Sequence, residues 1–290
     1  MKINLLNIAA FLAFLIVLAM VIGAGWYLFG DFGGWKGTSM NYEEMDQEVT
    51  GTETFNGNIK TLSVRAVAGS IQIETWDGDG IEVNYRKRGL TQAGMDKINV
   101  IMQQEGSSLN VWTEFPPVSA GNTGWVEYLI KIPAILEQID AKSVSGSITI
   151  GEDSGANLFD EINQELKTTS GSIFTAGAFT LSISSISGSL RFTAGGDEVE
   201  AKTVSGRITG VVSANTNNQT IDCDSISGSI NLDIPDNWGG SVKMSSVSGS
   251  LKSKLPVILE KQSRNSLEGR LGEGDGNLRM KTTSGSISIE

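Results

Sequence analysis

The side chains of this chain best placed for chemistry are acids. Asp222, Asp224 and Asp233 form the densest acidic cluster, and the first two flank an apolar Cys223. On a strand, Asp222 and Asp224 share the outward face, about 7 Å apart. A glycoside-cleaving pair needs carboxyl groups about 5–9.5 Å apart, one of them held protonated by its surroundings. The spacing fits. The surroundings do not, because equivalent positions in neighbouring repeats hold Glu200 and Ser182, or Lys202 and Ser184, which make a solvated face. Asp77 and Asp79 stand in a DGDG run that resembles the start of a calcium loop. The third acid and the closing glutamate are missing, so the run reads as a tight turn. There is no histidine, which excludes Ser-His-Asp and Cys-His catalysis and histidine metal ligands. There is also no phosphate loop or dinucleotide fingerprint. The reading is a non-enzyme with no catalytic, cofactor-binding or metal-ligating residue and no cofactor.

What must position these side chains is a phrase written seven times after residue 140: KSVSGSITI, KTTSGSIFT, SSISGSLRF, KTVSGRITG, DSISGSINL, SSVSGSLKS and KTTSGSISI. An eighth copy, RAVAGSIQI, comes earlier. The repeat glycines are Gly69, Gly146, Gly171, Gly188, Gly206, Gly228, Gly249 and Gly285. They are read as structural, at places where a side chain would not fit or where the strand bends. From Gly146 onward the intervals are 25, 17, 18, 22, 21 and 36 residues. A basic unit of about 17–22 residues suits a parallel β-solenoid with insertions in one loop. The 36-residue gap is expected to hide a worn rung, in which Leu267, Gly269 and Leu271 reproduce the pattern.

With the glycine as position zero, apolar residues stand at −2, +2 and often +4, the alternation of a half-buried strand. Position −5 is always apolar, and so is −7 except at Gln164. The two sets differ in parity, so a corner is expected near −4 and −3, and position −3 is Ser or Thr in all seven later copies. Serines at −1 and +1 would align into outward ladders. Cys223 takes an inward −5 position as a small hydrophobe, and a lone cysteine makes no disulfide framework.

Residues 5–29 carry no charge and are apolar except for Asn7. As a helix they would span about 37 Å, enough for a tilted membrane crossing. Lys2 precedes them, Trp26 and Tyr27 lie at their far end, and Asp31 follows. The positive-inside rule then puts the N-terminus in the cytoplasm and the repeats outside. The expected organisation is a membrane anchor at 1–30, a polar tether at 31–54 and a β-solenoid at 55–290. Within the last, 55–135 are less regular capping strands and 136–290 the Ser-Gly rungs. IQIETWDGDGIEVNYRKR reads as one hairpin and INVIMQQEGSSLNVWTEF as a second, around Gly106. Trp76, Trp112 and Trp125 would cover the open end. The net charge is −11, and no cluster of cations is large enough to neutralise a phosphate backbone, so nucleic acid is not an expected partner.

The ordered set AGSIQI, GDGIEV, IKIPAIL, the serial T/S-x-SG-x-I copies and LGEGDGNLRMKTTSGSISIE resembles a bacterial putative-adhesin family, a domain of unknown function, over residues 55–290. The resemblance implies an all-β envelope solenoid, often membrane-tethered. Asp often follows the glycine in that family; Ser dominates here, which removes a row of acids. Three functions follow as expectations. The first is a non-catalytic anchored surface for contact with an envelope or surface protein or a glycan. The second is an accessory to envelope-stress signalling with a membrane-protein partner. The third is a carboxylate-dependent glycan-cleaving enzyme.

Overall fold

The computed structural model describes residues 47–115, 124–133, 136–151, 159, 161–194, 196–212 and 218–290. The apolar segment 5–29 and residues 31–46 of the tether lie outside them. Among the described residues, no helix is long and apolar enough to cross a membrane.

The chain opens with β1 (Gln47–Phe55), β2 (Thr61–Ala68), β3 (Ile71–Thr75) and β4 (Ile81–Gly89). A one-turn helix α1 (Gln92–Met95) follows, then β5 (Asn99–Glu105), β6 (Ser108–Glu114) and β7 (Gly124–Ile132). The repeats then supply strand pairs: β8 (Gln138–Ser145) with β9 (Ile148–Ile150), β10 (Asn163–Ser170) with β11 (Ile173–Ala176), and β12 (Thr180–Ser187) with β13 (Leu190–Ala194). Next come β14 (Glu198–Ser205) with β15 (Ile208–Val212), β16 (Thr220–Ser227) with β17 (Ile230–Asp233), and β18 (Gly240–Ser248) with β19 (Leu251–Ser253). The chain closes with β20 (Ile258–Gln262), β21 (Ser266–Leu271), and the pair β22 (Gly276–Ser284) and β23 (Ile287–Ile289).

Each pair crosses from one sheet to the other, so a rung has a long strand before its glycine and a short strand after it. The long strands form a sheet ordered β20-β21-β18-β22-β16-β14-β12-β10-β8-β2-β6-β5. The short strands form one ordered β1-β4-β7-β3-β9-β11-β13-β15-β17-β23-β19. Pairing among the rungs is parallel and keeps every glycine in register. Antiparallel strands cover both ends of the long-strand sheet and one end of the other, which shields edges that would template aggregation.

The corner falls at the glycine, not at −4 and −3 as the parity argument expected. In β8, Ile139, Ala141 and Ser143 (−7, −5 and −3) point inward, and Ile148 and Ile150 (+2 and +4) resume the core after the turn. The alternation at −2 belongs to the outer face, and Val247 there is 67% exposed. Strict period-2 spacing survives a corner of even length with its sense reversed, so spacing alone misplaced the turn. Each rung buries about four apolar side chains, such as Ile221, Cys223, Ile230 and Leu232. Each contributes on the order of 1.5–3 kcal/mol when fully buried.

The corner chemistry is specific. The glycine N–H donates to the −1 carbonyl of the next rung, as from Gly146 to Ser170 (3.0 Å) and Gly228 to Ser284 (3.0 Å). The +2 N–H donates to the next +1 carbonyl, as from Ile230 to Ser286 (3.0 Å). The glycine carbonyl points along the stack at the neighbouring glycine. A Cβ on Gly146, Gly171, Gly188, Gly206, Gly228, Gly285 or Gly249 would overlap the carbonyl oxygen of Gly69, Gly146, Gly171, Gly188, Gly206, Gly228 or Gly285 respectively. The buried −3 hydroxyl donates to that same oxygen: Thr168 to Gly146 (3.3 Å), Ser185 to Gly171 (3.3 Å), Thr282 to Gly228 (3.0 Å) and Ser246 to Gly285 (3.0 Å).

Three further expectations are corrected. Leu267, Gly269 and Leu271 do not form a worn rung; they lie on β21, antiparallel to both β18 and β20. Their alternation is real, but alternation carries no strand direction. Gly269 is small because the Ile258 carbonyl crosses its face. β3 and β4 are not a hairpin, since β7 lies between them, parallel to β3 and antiparallel to β4. The β5–β6 hairpin around Gly106 forms as expected. Among the described residues, the first strand is Gln47–Phe55, which overlaps the segment read as tether. β1 is an edge strand with mostly exposed side chains, so it carries no strong hydrophobic pattern.

Rung order also departs from chain order. The last rung, β22 and β23, lies between β16/β17 and β18/β19. Gly228→Ala is expected to destabilise by about 3 kcal/mol, because its Cβ would overlap the Gly206 carbonyl, which is backbone and cannot swing away. The exposed-row change Ser227→Ala should stay within about 0.5 kcal/mol. Thermal melts of the two variants side by side check both values; equal melting temperatures would contradict this corner geometry.

Candidate interaction surface

Two surfaces follow directly from the rung. The first is the corner ridge. Ser145, Ser170, Ser187, Ser205, Ser227, Ser284 and Ser248 form an exposed −1 row beside the glycines. The +1 positions form a second row, in which Ser250 and Ser286 are hydrogen-bonded (3.0 Å) and Arg207 is the single cation. Beside them runs the −2 row of Val144, Thr169, Ile186, Val204, Ile226, Thr283 and Val247, half-buried to exposed. Eight glycine rungs at the usual strand spacing make a ridge about 34 Å long.

The second is the outer face of the long-strand sheet. Positions −6 and −4 hold ion pairs within single strands: Asp140 with Lys142 (3.0 Å), Glu165 with Lys167, and Glu200 with Lys202. The bond to Lys167 holds the Glu165 carboxyl below its ordinary range. Rows of opposite charge therefore run side by side and largely cancel. Where −8 and −6 meet, a shallow groove of about 420 Å³ is lined by Gln138, Asn163, Glu165, Thr180, Glu198 and Glu200.

Asp222 and Asp224 lie on this face, next to Glu200 and Lys202 as the sequence register expected. On their other side stand Arg279 and Lys281 of the inserted last rung. Arg279 donates Nε (3.0 Å) and Nη2 (2.5 Å) to Asp222 Oδ2, and Nη2 (2.9 Å) to Asp224 Oδ2. Burial first, and then Asp222, push the Asp224 carboxyl above its ordinary value, against the pull of Arg279. Asp222 Oδ1 and Asp224 Oδ1 are buried without a hydrogen-bond partner. Both acids thus bind one guanidinium. Asp233 is on β17 in the other sheet and does not join them. Among the described residues, no cluster of acids and cysteine could hold a metal ion.

Cys223 is fully buried between these acids, and its thiol is pushed far up by that burial. Sequence reasoning missed Arg279, because chain order does not place β22 beside β16. The signal was present: β16 alone has acids at both −6 and −4, and β22 alone has cations at both. It also missed Trp238, buried against Gly276 at the turn into β18. Trp76, Trp112 and Trp125 are half-buried at the opposite end.

This stack of corner rungs identifies the class: the chain belongs to the Toastrack DUF4097 family, whose model matches residues 56–290. Among solved structures, it is similar to one described as a putative cell adhesion protein from Clostridium sporogenes. That similarity has 11% identity and a TM-score of 0.39, covering 84% of this chain and 99% of that one. It is also similar to a putative adhesin from Bacteroides fragilis, at 12% identity and TM-score 0.41, covering 85% and 99%. A third similarity is to a putative lipid binding protein from Parabacteroides distasonis, at 13% identity and TM-score 0.28, covering 84% and 97%. No curated protein matches the chain.

Arg279→Ala leaves two facing carboxylates without their cation and should cost about 1–3 kcal/mol, reduced from a fully buried pair by partial exposure. Asp224 has a raised folded pKa, so its contribution is present at acid pH and is lost as pH rises from the ordinary carboxylate range through that raised value. Asp224→Asn should therefore remove that fall of stability across the window. Urea melts from pH 3.5 to 7 test this; an unchanged profile would contradict it.

Proposed function

We propose that this protein is a non-catalytic, membrane-anchored envelope component whose work is to present a rigid β surface for contact with a protein or a glycan. The observation that carries this reading is the corner ridge: eight glycine rungs in one register, with exposed serine rows and a β-branched row beside them. Such a ridge is long, flat and weakly charged. It suits an extended partner lying along the stack more than a small molecule in a pocket. The pairing of both Asp222 and Asp224 with Arg279 supports a non-enzymatic role. The apolar segment 5–29 supports anchoring, with the repeats outside the cytoplasm.

One observation favours a partner in the same membrane, as in envelope-stress signalling. With β1 starting at Gln47, only residues 30–46 remain between the apolar segment and the sheet. Fully extended, that stretch reaches at most about 60 Å. On this reading the anchor limits how far the ridge can stand from the bilayer, which supports a partner in the same membrane.

The test is in-cell photocrosslinking of the full-length protein, with the reactive group placed at Ser187 on the ridge or at Asn231 on the outer face of the short-strand sheet. A discrete adduct from Ser187 and none from Asn231 is the expected result. An adduct from neither position, or equal labelling from both, would contradict a ridge-directed role.

A further inference from the structure

The position of the last rung has a physical consequence. β22 and β23 follow β18 and β19 in the sequence, yet they separate two rungs that precede them. Their removal would leave no mismatch between those two rungs. Ser227 pairs with Ser284, and Ser284 with Ser248, so β16 and β18 already share one register. Brought together, they would set Ile221 against Val242, Cys223 against Met244, Ser225 against Ser246 and Gly228 against Gly249. Each is a pairing of the kind found throughout the stack.

The charges also carry over. Arg279 now stands between Asp222 and Lys243, and Lys243 turns to Glu268 on β21 (2.8 Å). With β22 withdrawn, Lys243 would stand directly opposite Asp222 and replace Arg279. The connection into the last rung, Gly272-Glu273-Gly274-Asp275, is rich in glycine, with Gly272 at φ +50°. The connection from β17 to β18 has six residues, 234–239, and already spans the extra rung.

We infer that the C-terminal rung is a displaceable wedge: the stack has a second closed state in which β18 and β19 pair directly with β16 and β17 and residues 276–290 are released. The inserted state buries Leu278, Met280, Ile287 and Ile289 and is the dominant one. Asp222 and Asp224 against Arg279 and Lys281 specify where the wedge enters. The released segment is a ready-made strand pair whose −3 threonine and corner glycine match any rung of this stack.

Disulfide trapping in the full-length chain tests this, with Cys223→Ala as background. In the inserted state Ser227 and Ser248 are separated by Ser284, about 9.6 Å at two strand spacings, beyond the reach of a disulfide. Ser187 and Ser227 are separated in the same way by Ser205, but that rung lies inside the chain order and cannot leave. Under mild oxidation the pair S227C/S248C should crosslink at least tenfold faster than S187C/S227C. The trapped form should lose residues 276–290 to limited proteolysis. The adjacent pair S227C/S284C should crosslink quickly and protect that segment. Equal, slow crosslinking of the first two pairs, or a trapped S227C/S248C form that keeps 276–290 protected, would overturn the inference.

Discussion

The structure depends on one steric fact at the corner: a glycine carbonyl aimed along the stack at the next glycine. A side chain there would overlap it, so every rung must have glycine at that point. The same oxygen needs a donor, because the backbone ladder around it runs through the −1 and +1 carbonyls. The hydroxyl three residues before the neighbouring rung's glycine supplies the bond in most rungs. One contact thus explains two of the strictest features of the repeat, the glycine and the Ser or Thr before it. It also fixes register, since a slip of one residue would drive a Cβ into backbone and leave a buried carbonyl unpaired.

From that corner the rest follows in order. A tight, invariant turn on one side forces all variation in rung length to the other side, between the short strand and the next long one. The uneven spacing of the glycines is the record of those connections. Core positions are set by the two strands on either side of the corner, so buried residues can be exchanged as long as volume is kept. Cys223, Ala201, Ile183 and Met244 serve one position in successive or nearby rungs. The outer face is free of packing demands, and there the chain places ion pairs that cancel and a ridge that is nearly uncharged.

Much of this was legible in the sequence. The repeat, the parallel stacking, the identity of the glycines, the buried cysteine and the outward Asp222 and Asp224 can be read from composition and spacing. What could not be read shares one cause: periodicity has neither direction nor partner. It could not tell that Leu267, Gly269 and Leu271 run antiparallel, that β7 enters between β3 and β4, or which rung neighbours the last one. The −2 residues were placed inside because their spacing from the glycine is even, although the corner reverses the face. The acidic pair was read as a solvated face; it is instead partly buried, which raises Asp224, and its cation comes from a rung that chain order puts elsewhere. Charge was the available clue, since two acids on one strand and two cations on another ask to be neighbours.

The order of the rungs is the claim on which the corner geometry, the acid–arginine cluster and the wedge all rest. Methyl-resolved nuclear Overhauser contacts among Ile230, Ile287 and Leu251 test it most directly. Strong contacts are expected from Ile287 to both Ile230 and Leu251, with little between Ile230 and Leu251. A strong Ile230–Leu251 contact in the dominant state, with Ile287 touching only one of them, would contradict it.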